Sequence, residues 1–316
     1  MSRRRSKAPS LKWAILALGV LCAAAYAVLL YLEDTGLPAP DVAPVDETAP
    51  PPPAPKYIPD PSVQQGAEGA PPRPEPSFPR SHPVRAPGEP AKIAIVLDDV
   101  GYDEAAVERA MAVGAPLTFA VLPNAPRGDA LARRLHSEGF EVWLHLPMEP
   151  EGEGANPGQG AVLTSMTREQ ITGSVLDALK AVPYLQGVNT HMGSRATTRR
   201  DVMEWALAPV RDWGLFFIDS KTTPDTVAFE TAKRLGIPCS IRDVFLDTEP
   251  ASAYTRQMLE RLETLAREQG TAVGIGHLYP TTLEVLEKTL PRLEARGVRL
   301  VSASEIVEEE NLPLEP

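Results

Sequence analysis

The chain has 316 residues, 43% of them apolar, enough for one large domain plus additional segments. Its formal net charge of -11, with no basic stripe beyond the first dozen residues, excludes the Lys/Arg neutralisation of phosphates on which non-specific nucleic-acid binding rests. The two cysteines, Cys22 and Cys239, form no CxxC or other metal-type spacing, so any metal site has to draw on histidine and carboxylate.

In chain order, residues 1–12 are a basic N-terminus carrying Arg3, Arg4, Arg5, Lys7 and Lys12. Residues 13–32 (WAILALGVLCAAAYAVLLYL) are uncharged and as long as a helix needs to be to cross a hydrocarbon core of about 30 Å. The basic flank before this run, and Glu33 and Asp34 after it, place the N-terminus in the cytoplasm and the rest of the chain outside. The expectation is a single-pass anchor in the inner (cytoplasmic) membrane, in contact with the lipid bilayer, with a periplasmic or extracellular main domain. A cleaved signal peptide is the rival, since AAAYA offers small residues, but its apolar core would usually span only about 7–15 residues.

Residues 33–90 hold 18 of the 34 prolines, with PPPP at 50–53 and hardly any sustained apolar periodicity. Such a segment forms no core. At about 3.1 Å per residue in polyproline geometry it reaches at most ~180 Å, and it reads as a disordered spacer that holds a domain away from a bilayer. A ligand for a proline-recognising module is the alternative.

From 91 to 308 short apolar runs alternate with amphipathic segments, as in βα units that build a parallel sheet, and 309–316 are left as a tail. Strands are expected at 92–98, 117–122, 140–145, 186–191, 215–219, 237–241, 272–277 and 298–302. DEAAVERAMAVG opens on Asp103 as a cap and closes on Gly114, and TREQITGSVLDALKAV starts with Thr167 followed by Gln170 three residues later, so both read as crossover helices. Seven or eight units in this length predict an α/β fold, a closed or nearly closed (β/α) barrel, with a doubly wound open sheet as the alternative.

On that map the chemistry-bearing residues gather at the carboxyl ends of strands, where parallel α/β proteins form active sites. Asp98 and Asp99 end the first strand, His145 the third, His191 the fourth, Asp219 the fifth and His277 the seventh. Singly, each has a plain explanation: a strand-end histidine is often only hydrogen-bonded, and Asp219 before SKTTPD suits a turn cap. Adjacent carboxylates after an apolar strand are harder to explain without a nearby cation to relieve their repulsion. Two neutral imidazoles and one carboxylate with a position open for water suit Zn²⁺ or a similar divalent ion, while a second carboxylate accepts a proton from attacking water. A third histidine beyond the substrate then protonates the leaving group.

The blocks IAIVLDDVGY, LTFAVLPNA, EVWLHLPMEP, VNTHMGSRAT, LFFIDSKTTP and AVGIGHLYP, in this order over 92–307, resemble the divergent polysaccharide deacetylase family, a branch of the NodB-type carbohydrate esterases. The resemblance implies a distorted (β/α) barrel of seven or eight units and metal-dependent removal of N- or O-acetyl groups from a polysaccharide. It assigns Asp98 as the base, Asp99 as a metal ligand, His277 as the acid and Asp219 as its possible orienting partner. The wider superfamily takes two metal histidines four residues apart. Here Glu149 stands at that distance from His145, so His191 becomes the second histidine of the set, and Glu149 a lesser candidate or a loop carboxylate. Arg195 in GSRAT is a candidate sugar-binding residue or a partner of Asp98, with a surface salt bridge as the plain reading. The rivals are a noncatalytic envelope domain that binds glycan or an unidentified protein, and a glycoside hydrolase.

Overall fold

The computed structural model describes residues 89–312 apart from Glu153. The expected anchor at 13–32, nearly all of the linker and the last four residues of the tail lie outside this range. Among the described residues no helix is long and apolar enough to cross a membrane.

The chain alternates strand and helix: β1 (Ala91–Val100), α1 (Glu104–Met111), β2 (Thr118–Val121), α2 (Gly128–Ser137), β3 (Glu141–Met148), α3 (Arg168–Ala181), β4 (Leu185–Met192), α4 (Arg200–Asp212), β5 (Phe216–Asp219), α5 (Ala228–Arg234) and β6 (Cys239–Ile241). Then follow β7 (Val244–Phe245), α6 (Ser252–Gln269), β8 (Thr271–His277), α7 (Pro280–Ala295), β9 (Val298–Val301) and α8 (Ala303–Glu310). Each strand expected from the sequence is present within a few residues, and β7 is additional. Both anticipated caps form: Asp103 accepts from the Ala106 N–H, and Thr167 and Gln170 make a reciprocal capping box at the start of α3.

All pairings in the nine-stranded sheet are parallel, in the order β6-β5-β4-β3-β2-β1-β8-β7. β8 runs along one edge of β1 from Lys92 to Asp98, so the other edge is shared, Ala91–Ala94 pairing with β9 and the later residues with β2. The chain thus winds outward from β1 to β6 and returns on its other side. The carboxyl end of β1 is the switch point where α/β sheets form ligand crevices. The sheet curls: Ile218 of β5 and Ile275 of β8 belong to one inner cluster with Val96 and Trp143. Between β6, which pairs with β5, and β7, which pairs with β8, only Arg242 and Asp243 intervene, so a bent chain segment spans the gap in place of a continuous ladder. The result is a distorted, incompletely laddered barrel.

Strand alternation divides the residues between two cores. Ile93, Ile95 and Leu97 face outward to the helices, while Ala94 and Val96 face the interior with Trp143 and Val273. α8 contributes Ala303, Ile306 and Val307, one helical face, to the interior. Its first N–H groups are held by side chains from the starts of β2 and β3: Ala303 donates to Thr118 Oγ1 at 3.0 Å and Ser304 to Glu141 Oε2 at 3.2 Å. The amino ends of the strands are therefore covered by α8, and the open end is the carboxyl end.

Candidate metal centre and active site

The inward stripe that buries Ala94 and Val96 leads to Asp98, and the same alternation places His145 on the carboxyl half of β3 and ends β8 on His277. On β4 it brings in Asn189 and then His191. In a regular strand Asp99 would point away from Asp98. Here the ladder with β2 slips, Leu97 pairing with Phe119 and Val100 with Val121, so Asp98 and Asp99 together oppose one residue, a β-bulge. Asp99 takes φ 60°, a left-handed conformation costly for a non-glycine residue, and its carboxylate joins that of Asp98 on the inner side. Met192, immediately after His191, has φ 56°. Two of the four described non-glycine residues with positive φ thus stand at the site, the others being Tyr184 and Lys221.

Three of the expected residues converge. Asp99 Oδ1 lies 3.0 Å from His191 Nδ1 and 3.3 Å from His145 Nε2, and the two nitrogens are 3.2 Å apart. Ligand bonds of about 2.0–2.1 Å in a tetrahedron give ligand–ligand edges of about 3.3–3.4 Å, so this triangle has the size of one face of such a site. Asp99 Oδ1 is buried and accepts no well-directed hydrogen bond. A buried carboxylate oxygen without a directed donor, beside two imidazole nitrogens turned toward the same point, is a donor set that fits a divalent ion.

Asp98 is 3% exposed and lies beside this triangle, its Oδ2 3.7 Å from His145 Nε2. Burial raises its carboxyl above the ordinary range, opposed by the charges of His145 and His277 and by the Asn189 amide, which donates to Oδ1 at 2.7 Å. Burial alone would raise Asp99 too, but the charge of His191 and the close His145 nitrogen hold it well below the usual value. His145 is buried, which favours its neutral form, yet the charges of Asp98 and Asp99 push its pKa up.

His277 Nε2 faces the same group, 3.7 Å from Asp99 Oδ2. Its Nδ1 lies 3.0 Å from Asp247 Oδ1, and Asp247 Oδ2 accepts from the His277 N–H at 2.7 Å and from Thr282 Oγ1 at 2.7 Å. Burial opposes the charge on His277, but Asp247, together with the charges of Asp99 and Asp98, outweighs it and the pKa is raised to about 9. The orienting partner expected at Asp219 is thus Asp247, two residues beyond β7. The Asp219 carboxylate instead accepts from Lys221 N (2.9 Å), Thr226 Oγ1 (2.9 Å) and Phe229 N (3.1 Å), organising the β5–α5 loop. Arg195 makes no contact with Asp98. Its Nε sits 3.6 Å from Glu149 Oε1 with the side chain 53% exposed, which is the plain surface pair. Glu149 is a loop carboxylate, its Oε2 accepting from Thr164 N and Oγ1, both at 2.6 Å.

The cluster opens into a cleft of about 610 Å³ whose wall includes Tyr102, Pro123, Pro157, Leu278 and Tyr279 beside Asp98 and Asp99. Tyr279 packs against His277 with ring centroids 5.1 Å apart. The cleft therefore offers apolar ring surfaces next to a charged centre.

Residues 95–307 match the model of the divergent polysaccharide deacetylase family. The uncharacterized protein YibQ of Escherichia coli K12 is 33% identical over 218 residues, which cover 69% of this chain and 68% of that protein. An uncharacterized protein of Haemophilus influenzae Rd is 32% identical over 206 residues, covering 64% of this chain and 72% of its own. The fold is shared with the crystal structure of an uncharacterized Agrobacterium tumefaciens C58 protein at a TM-score of 0.66 and 23% identity, over 70% of this chain and 91% of that one. With the family's pattern running through nearly all of the folded part, the chain belongs to the divergent polysaccharide deacetylase family.

Proposed function

We propose that the protein is a metal-dependent hydrolase that removes acetyl groups from a cell-envelope polysaccharide, with peptidoglycan as a plausible polymer. The observation that carries this reading is the triangle of Asp99, His145 and His191 with a separate buried carboxylate, Asp98, at its side. Those three residues would hold a divalent ion, Zn²⁺ fitting the donor set best, which would supply Lewis acidity toward a carbonyl and lower the pKa of water near it. Asp98, raised by burial, takes the proton of the attacking water. His277, held by Asp247 with Nε2 toward the centre, gives a proton to the departing amine or alcohol. Amide or ester plus water becomes acetate plus amine or alcohol. The Tyr102 and Tyr279 rings suit the apolar faces of sugar rings.

Glycoside hydrolysis fits less well. It requires carboxyls on opposite sides of the bond, at least about 5 Å apart, whereas Asp98 and Asp99 both lie within 4 Å of one His145 nitrogen, on one side of the cleft. The test is acetate release from an acetylated glycan by the purified full-length chain with added Zn²⁺, after chelation, and as Asp98→Asn. We expect release that depends on metal and falls about 10²- to 10⁴-fold in the variant. Equal traces in all three would overturn the reading in favour of a binding domain, and new reducing ends without acetate would point to glycosidase chemistry.

In this reading residues 13–32 anchor the enzyme and 33–90 give it reach into the wall. Protease added to spheroplasts should cut between the span and the domain. Protection until the membrane is lysed would place the domain in the cytoplasm and contradict that topology.

A further inference from the structure

A single neutral side chain, Asn189, connects the ligand triangle to the neighbouring carboxylate. It lies on β4, is 0% exposed, and uses both ends of its amide: Oδ1 is 2.8 Å from His145 Nδ1, and Nδ2 donates to Asp98 Oδ1 at 2.7 Å. With Asp98 ionised, as its role as the base requires, the network admits one orientation of the amide. Reversed, its oxygen would meet a carboxylate oxygen with no proton between them. Its NH₂ would then require a bare His145 Nδ1, putting the ring proton on Nε2, where it would point at Asp99 and His191. In the observed orientation His145 Nδ1 carries the proton and donates to Asn189, which leaves the Nε2 lone pair aimed at the triangle.

We propose that Asn189 is a positioning residue that fixes the tautomer of His145 for metal ligation and the carboxylate plane of Asp98 for proton acceptance. This inference rests on the functional reading above. The residue type follows from the task. A carboxylate in its place would accept from His145 but could not donate to Asp98, and it would add a negative charge beside a buried one. Serine is too short to span both partners, and an apolar residue leaves both unpaired. Gly187 and Val188, just before it on β4, lie against Trp143 and Leu144 of β3 in the parallel ladder, and His145 is directly opposite Asn189, so backbone register sets the first hydrogen bond.

The test uses the full-length chain loaded with one equivalent of Zn²⁺ and labelled with ¹⁵N-histidine. The proposal expects His145 to bind through Nε2 with a slowly exchanging Nδ1–H, and that exchange to become fast in Asn189→Ala, whose zinc affinity falls about 10- to 100-fold. Asn189→Asp keeps the acceptor, so its zinc affinity stays at least at the wild-type level while acetate release drops about 100-fold at unchanged KM. Ligation of His145 through Nδ1, or rapid Nδ1–H exchange in the unaltered protein, would overturn the proposal whether or not any variant folds. Zinc affinity of Asn189→Ala within twofold of wild type, or turnover of Asn189→Asp within twofold, would also overturn it. Ring shifts and metal affinity are read without substrate, so failure of the deacetylase reading would show separately, as absent acetate release with these readouts intact.

Discussion

At the scale of single residues, similar aspartates do different work because of what their backbone brings near them. Asp219 and Asp247 each follow a short apolar run, FFID and VFLD, and nothing in composition separates them. Asp219 meets the first turn of α5, while Asp247 meets the His277 ring. The His277–Asp247 pair has a pH signature whose sign is fixed. The folded-state pKa of about 9 lies above the ordinary value of 6.5, so protonated His277, held by Asp247 and also by Asp99 and Asp98, stabilises the metal-free fold fully below about 6.5, and that contribution is lost as pH rises through about 9. In Asp247→Asn the decline should move to lower pH, and the alkaline limb of kcat/KM should move the same way, because His277 then surrenders its proton earlier. Unfolding by denaturant in EDTA and pH–rate profiles check both. A profile unchanged in the variant would mean that His277 is not held by this carboxylate.

At the scale of elements, β1 shows what a sequence displays and what it withholds. The apolar run IAIVL before DD reads directly as a buried strand ending in a polar site, and His145, His191 and His277 at their strand ends read the same way. The bulge does not, because no residue type marks it: both carboxylates reach one side only through the slipped register and the φ of 60° at Asp99. β7 is invisible in the sequence for a related reason. Two residues, Val244–Phe245, have no period of their own, and they are a strand only because β8 lies beside them. Asn189 carries no signal either, being an uncharged residue whose role exists only opposite His145.

The β3–β4 pairing can be tested at the same scale. A Cβ at Gly187 would lie 2.5 Å from Trp143 Cε2, inside the buried indole. Gly187→Ala should therefore cost about 1–3 kcal/mol in denaturant unfolding and weaken metal binding, since His145 and Asn189 sit two residues beyond this contact. A neutral substitution would mean that β3 and β4 are packed less closely than described.

At the scale of the whole molecule, the fold divides its labour by end. α8 covers the amino ends of the strands with Ala303, Ile306 and Val307, and the opposite end is left to polar residues drawn from β1, β3, β4, β8 and the segment just after β7. Winding outward from β1 and returning on its other side is what brings Asp99, His145 and His277, far apart along the chain, to one cleft.

The central claim is that Asp99, His145 and His191 hold one divalent ion. Zinc X-ray absorption of the full-length chain loaded with one equivalent measures this directly. The account predicts two imidazoles together with oxygen ligands at about 2.0–2.1 Å, and one imidazole after either His145→Ala or His191→Ala. A spectrum without imidazole, or one unaltered by both substitutions, would contradict it.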